Sequence, residues 1–173
     1  MQNTYETDLN VIAKEALSKE EENDHFLRFV KRQDGERTDT LAHDLNDRVS
    51  AAIDCTQCGN CCKTLVINVT DEEVITLSGN LQLSQEETNE RYIETSLGGR
   101  HFINIVPCAF LTGNMCSIYE HRFTECKDFP HLHKDGFKER LLGTLLHYGR
   151  CPIIYNVIEE MKIALHFKDD TVA

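Results

Sequence analysis

The sequence has no surplus of positive charge. Lys and Arg number 18 against 29 Asp and Glu, a formal net charge of -11, so the surface needed to offset phosphate charge on nucleic acid or an anionic membrane is missing. Nor is there an apolar run of membrane-spanning length. The opening residues, Met1 to Asp8, contain neither the basic nor the apolar part of a signal peptide. A cytoplasmic protein with no nucleic-acid and no membrane partner is expected. No Gly-rich loop follows a strand, so neither a dinucleotide nor an S-adenosylmethionine site is read from motif. There is also no internal repeat, low-complexity tract or linker that would mark a second domain.

What the sequence does have is sulfur. Cys55, Cys58, Cys61 and Cys62 put four thiols into eight consecutive residues, and Cys108, Cys116, Cys126 and Cys151 follow. In a reducing compartment such a density points to metal ligation or redox chemistry more than to disulfides. Adjacent Cys61 and Cys62 are also badly placed to bridge. Thiols spaced two residues apart can turn inward from one loop, and Gly59 and Asn60 let that loop bend. Iron-sulfur clusters and structural zinc both use such spacing, which does not separate them. Cys62 strains to share an ion with Cys61, so a second metal, a bridging role or a reactive thiol stays open for it.

Around the cluster the pattern is mainly helical. Apolar residues at helical spacing over 3–33 end at Asp34-Gly35, and Thr38-Asp39-Thr40 opens a second helix whose apolar face runs Leu41, Leu45, Val49, Ala52 and Ile53 into the cysteines. Thr64 to Val69 alternates and is read as a strand. Thr70 to Glu73 and Ser84 to Glu87 have capping-box spacing ahead of two short helices, the second running to about Thr95 and stopped by Gly98-Gly99. His101 to Val106 is read as a strand, residues 109–119 as a hairpin holding Cys108 and Cys116 on neighbouring strands, and Phe137 to Tyr148 and Pro152 to Phe167 as closing helices. With 173 residues and 40% apolar content, the expectation is one small α+β domain, mainly helical, with short strands organised around a polycysteine metal site. Residues 1–53 form an N-terminal helical segment packed on the core, and 54–173 form the cysteine-cluster domain.

Cys55-x2-Cys58-x2-Cys61-Cys62, Pro107-Cys108-x-Phe110-Leu111, Cys116-x-Ile118-Tyr119-x2-Arg122 and Cys126-x2-Phe129-Pro130 resemble the bacterial YkgJ-type cysteine-cluster family, a zinc- or iron-chelating domain. The likeness runs over roughly 54–152. Where that family carries Pro after the arginine and Arg after the third downstream cysteine, this chain has Phe123 and Lys127. Flagellin lysine N-methylases carry a similar cysteine pattern and are described as iron-sulfur proteins, so the resemblance implies an enzyme as one alternative.

The expected ligands are Cys55, Cys58, Cys61, Cys62, Cys108, Cys116, Cys126 and Cys151. They would hold zinc or iron, a [4Fe-4S] cluster being one form, with room for more than one metal. His131 and His133, two apart after Cys126, are further candidates, weighed against surface histidines. Tyr119 and Arg122 are candidates to stabilise thiolate charge from behind the ligands. Lys63 and Lys127, each beside a cysteine, are candidates to offset it. Three functions stay open: a metal-binding protein, an iron-sulfur redox or methylase-like enzyme, and a structural metal domain for protein interaction. The metal ion is the expected partner; no protein partner or substrate is identified.

Overall fold

The computed structural model describes residues 5–103 and 105–169. From the N-terminus the helices α1 (Leu9–Ser18), α2 (Glu20–Val30) and α3 (Gly35–Ala52) lead to α4 (Cys55–Cys58) and α5 (Asn60–Thr64). Then come β1 (Asn68–Val69), α6 (Asp71–Leu81), α7 (Gln85–Tyr92), β2 (Ile93–Thr95), β3 (His101–Ile103), β4 (Leu111–Thr112) and β5 (Met115–Cys116). A 3-10 turn (Tyr119–His121), α8 (Thr124–Asp128), α9 (Phe137–Leu145) and α10 (Pro152–Ala164) complete the chain. The protein is α+β and mainly helical, as its periodicity predicts. Among the described residues no helix is long and apolar enough to cross a membrane.

The chain divides into two units. One joins the chain through Asp54 to the chain from Pro130 onward, and the other is Cys55–Phe129. The closing helices thus group with the N-terminal helices, whereas the sequence reading assigns them to the cysteine domain.

In the first unit, α3 packs on α9 and α10. The helical stretch over 3–33 is two helices, broken at Lys19, whose ψ of 16° leaves the helical range; the part of that stretch at residues 3 and 4 lies outside the described residues. α2 ends at Val30, with Lys31 as its C-cap, before Asp34-Gly35 is reached; that pair instead begins α3, where the Asp34 side chain caps Arg37 N at 2.8 Å. Asp39, predicted as part of that start, sits one turn inside. Its carboxylate instead accepts from Gly136 N at 2.9 Å and Phe137 N at 2.7 Å, capping α9 from a distance in sequence no local pattern reveals. Phe26, Val49, Phe137, Leu141, Ile154 and Met161 are all fully buried, and they are the apolar faces the periodicity marks.

A close approach fixes Gly149. A Cβ there would lie 2.7 Å from the Ala16 Cβ, a rigid neighbour. Gly149→Ala is therefore expected to cost about 1–3 kcal/mol as overpacking. A Tm equal to that of the unsubstituted chain would show that α1 yields freely at this point.

In the second unit both capping boxes form as spaced: Thr70 with Glu73 on α6, and Ser84 with Glu87 on α7. Glu73 does more than its motif requires, since its other oxygen accepts from Thr124 N at 2.6 Å and so ties α6 to α8. The second helix stops at Tyr92, three residues short of the prediction, because Ile93–Thr95 leaves as β2. Gly98-Gly99 then turns the chain into β3, with Gly99 at φ 77°. The sheet is antiparallel in the order β1-β3-β2, with Asn68 opposite Phe102 and Ile93 opposite Ile103. Both predicted strands are shorter than read. Thr64 still belongs to α5, and the predicted strand from His101 keeps its first three residues, its position 104 lying outside the described residues. Val69, Val74, Leu77, Ile103, Phe110 and Phe123 make the core of this unit, with Cys108, Cys116 and Cys126 packed partly buried against it.

Candidate metal centre

The first four cysteines do not lie on an open loop. They occupy two short helical turns, α4 and α5, joined at Gly59, whose φ of 59° is left-handed. The tip of the β4–β5 hairpin lies against that joint. A Cβ on Gly59 would stand 2.9 Å from the Asn114 carbonyl oxygen. The Asn114 side chain donates to Gln57 O at 2.9 Å and accepts from Lys63 Nζ at 2.6 Å. Lys63 is thus engaged by the hairpin and not by a thiol. Lys127 likewise acts on Glu73, whose carboxyl burial would raise but which the Thr124 and Thr70 amides, with Lys127 beyond them, hold below its ordinary value.

The hairpin forms where predicted, with Leu111 opposite Cys116 and the turn at Gly113-Asn114. Cys108 lies just before β4 and not on it. Its amide donates to Cys62 O at 2.8 Å, and its carbonyl accepts from Leu111 N at 3.0 Å. The chain after the cis Val106-Pro107 bond is thereby stitched to α5 at Cys62. Ser117 N returns to Phe110 O at 2.8 Å, and α8, which opens right after Arg122-Phe123, delivers Cys126 as its third residue.

Four thiols stand within electrostatic reach of one another as a result. Burial pushes the Cys126 thiol up to about 12, with the negative charge of Cys62, Cys108 and Cys116 adding and the Arg122 guanidinium opposing. Cys108 is raised first by burial and then by Cys62 and Cys116, and Cys116 first by burial and then by Cys62. Cys62 is raised by its hydrogen-bonding contact with Cys61, the two sulfurs being 4.0 Å apart, and then by burial. Three of these sulfurs also have a backbone amide that favours the thiolate, Cys62 its own. The Phe110 amide serves Cys108 and the Ile118 amide serves Cys116, each from two residues on, and each favours the thiolate. The pairing Cys-x-Phe and Cys-x-Ile is visible in the sequence, but only the backbone turn gives it meaning.

Arg122 is the cation of this group. Its guanidinium carbon lies 3.9 Å from the Tyr119 ring centroid, stacked on the ring, and it opposes the pKa rise of Cys62, Cys116 and Cys126. Its Nε is buried and has no hydrogen-bond partner among the described residues.

The other sequence candidates are placed differently. Cys55 is exposed and Cys58 half-buried on α4, which packs on β5. Cys151 is buried in the first unit as the N-cap of α10. His131 and His133 also belong to that unit. Residue 131 has φ 62°, and its carbonyl accepts from Arg140 Nη1 at 2.9 Å, Arg140 also holding the Lys134 and Asp135 carbonyls. His101 bonds Thr95 Oγ1 at 2.7 Å and pairs with Asp71 at 3.0 Å, so both its ring nitrogens are engaged. None of the eight cysteines is disulfide-bonded. Among the described residues, no three His, Cys, Asp or Glu side chains already stand together as ligands of one ion.

A family model described as "Putative zinc- or iron-chelating domain", named CxxCxxCC, matches residues 54–142. The chain belongs to the CxxCxxCC family. That is the family its cysteine motifs resemble, and the matched span contains seven of the eight cysteines, Cys151 falling outside it. No curated protein and no solved structure matches the chain. As a CxxCxxCC domain it is a metal-binding protein by family description, and its donor set agrees: soft sulfur suits zinc, iron and iron-sulfur clusters better than hard cations.

Proposed function

We propose that the Cys55–Phe129 unit chelates zinc or an iron-sulfur cluster, with Cys62, Cys108, Cys116 and Cys126 as the principal ligands. The observation that carries this reading is the packing of Cys108, Cys116 and Cys126 against one core, with Cys62 joined to Cys108 through its carbonyl at 2.8 Å and the four thiols within electrostatic reach of one another. Four thiols held near one another destabilise one another as anions, and a metal ion or cluster is the chemistry that relieves it. Cys62, ambiguous in the sequence, thereby becomes a main ligand, and Cys55, Cys58 and Cys61 supply thiolates for a further metal or for a larger cluster. When bound, the metal supplies folding free energy that strands of two or three residues cannot.

The test begins with metal and acid-labile sulfide measured on protein purified without oxygen, beside its visible absorption. Iron with sulfide and a brown chromophore selects the cluster; colourless protein with stoichiometric zinc selects the mononuclear site. Cys116→Ser and Cys126→Ser are each expected to lose at least one ion or cluster per chain, and Lys63→Ala, whose amine is bound to Asn114, to keep the full content. Undiminished metal in both serine variants would refute the ligand set. Cys151 stands as the eighth proposed ligand on its chemistry alone. Metal lost from Cys151→Ser supports that role, and metal retained removes it.

A further inference from the structure

Resting on the chelation reading, we propose that Arg122 is a positioning residue of the metal centre, whose Nε–H donates to a cysteinate sulfur of Cys62, Cys116 or Cys126 once metal is held. A buried polar atom without a partner costs free energy and is uncommon in a well-packed unit. Arg122 Nε is such an atom. Stacking on Tyr119 fixes the guanidinium plane, so the group stays charged and oriented while Nε waits for an acceptor. The nearby groups that would profit are thiols, and neutral thiols accept hydrogen bonds poorly. A cysteinate accepts well, and it appears only when metal displaces the proton.

The charge balance favours the same arrangement. A divalent ion with four thiolates carries 2 − 4 = −2, and one guanidinium brings the site to about −1 in surroundings that are largely apolar. Lys63 and Lys127, the cations nearest the cysteines in sequence, are engaged by Asn114 and act on Glu73. Arg122 is the cation whose field falls on three of the thiols. An arginine suits this better than a lysine because its fork can stack and donate at once.

The test uses the full chain loaded with cadmium-113 and, separately, cobalt(II). In the wild-type chain the Arg122 Nε–H proton is expected to shift on cadmium loading and to show scalar coupling to the metal through sulfur. Arg122→Gln is expected to bind cobalt at unchanged stoichiometry with roughly 10- to 100-fold weaker affinity, the usual effect of losing a group that supports the ligands. Its sulfur-to-cobalt charge-transfer band should move to lower energy, as a thiolate that has lost a donor gives. Absence of the cadmium coupling, or a folded Arg122→Gln chain binding within about threefold of wild type with its band unmoved, overturns the proposal while leaving chelation intact. Should that variant fail to fold, the cadmium coupling decides. A wild-type chain that takes up no metal overturns the chelation reading and this one with it.

Discussion

Removing metal from the cysteine unit is expected to loosen it and to reverse its response to pH. The apolar core there rests on a few side chains such as Val74, Leu77 and Phe110, and the strands that frame it are two or three residues long. A structural thiolate site contributes on the order of 10 kcal/mol to folding in small zinc domains, more than such a core supplies. Chelation under reducing conditions should therefore lower the melting temperature by well over 10 °C. It should also release the amides of Cys108, whose partner Cys62 O ties the segment to α5, and of Leu111 and Ser117, whose partners Cys108 O and Phe110 O hold the hairpin segment itself. Unchanged melting and amide protection after complete metal removal would show that the unit stands on its own packing.

The direction of the pH effect follows from the thiols. Without metal, burial and mutual repulsion raise Cys108, Cys116 and Cys126 in the folded chain, Cys126 to about 12. The folded form then holds protons the unfolded chain gives up. That contribution is full below the unfolded thiol value of about 8.5 and is lost as pH rises from there toward the folded values. With metal the order inverts, because each ligating thiol must lose its proton, up to four for a four-thiolate ion, and stability is lost as pH falls. Melting followed from pH 6 to 10 with and without metal should give slopes of opposite sign. Parallel slopes would mean that these thiols do not bind the ion.

The second large effect is expected in the first unit, at Lys162. Its side chain is only 7% exposed, and Nζ lies 2.9 Å from Glu22 and 2.8 Å from Glu159, at ion-pair distance though outside hydrogen-bond angles. Glu159 also meets Lys19 at 2.5 Å and accepts from the Tyr148 hydroxyl at 2.8 Å. Burial alone would raise the Glu159 carboxyl, but Lys162 and Lys19 outweigh it and hold it below the ordinary value. Removing one partner of a buried pair strands the other, at a cost of about 3–5 kcal/mol. Lys19 remains for Glu159, so Lys162→Ala should cost about 3 kcal/mol, a fall in Tm on the order of 10 °C.

Lys162→Met keeps most of the buried stem and isolates the charge. A depressed carboxyl contributes stability above its unfolded value of about 4.3 and loses it as pH falls through the folded one. Stripped of Lys162, Glu159 moves back up, so the methionine variant should lose less stability between about pH 5 and 2 than the wild-type chain. A variant as stable at neutral pH, with the same acid dependence, would assign the network no net role.

The capping boxes, the hairpin turn and the closing helices were legible because each is a local pattern: Thr70 and Glu73 meet within one turn of helix, and Pro152 can open α10 without help from elsewhere. The cysteine spacing likewise names the chemistry, since four thiols in eight residues suit few purposes besides metal. Misreadings arose where a residue serves a distant partner or a short segment has no period to detect. Asp39 looks like the start of a helix but caps α9. Ile93–Thr95 looks like the end of α7 but pairs with Ile103 and its neighbours. Sequence alone therefore determined that this chain is an acidic, mainly helical α+β protein carrying a sulfur donor set. Tertiary structure decided that Cys62 O is tied to the Cys108 amide, that Cys108, Cys116 and Cys126 pack against one core, and that Arg122, where Lys63 is bound to Asn114, opposes the pKa rise of Cys62, Cys116 and Cys126. Ligand type is a property of single residues, whereas electrostatic reach is a property of folded distances, and no spacing along the chain encodes those.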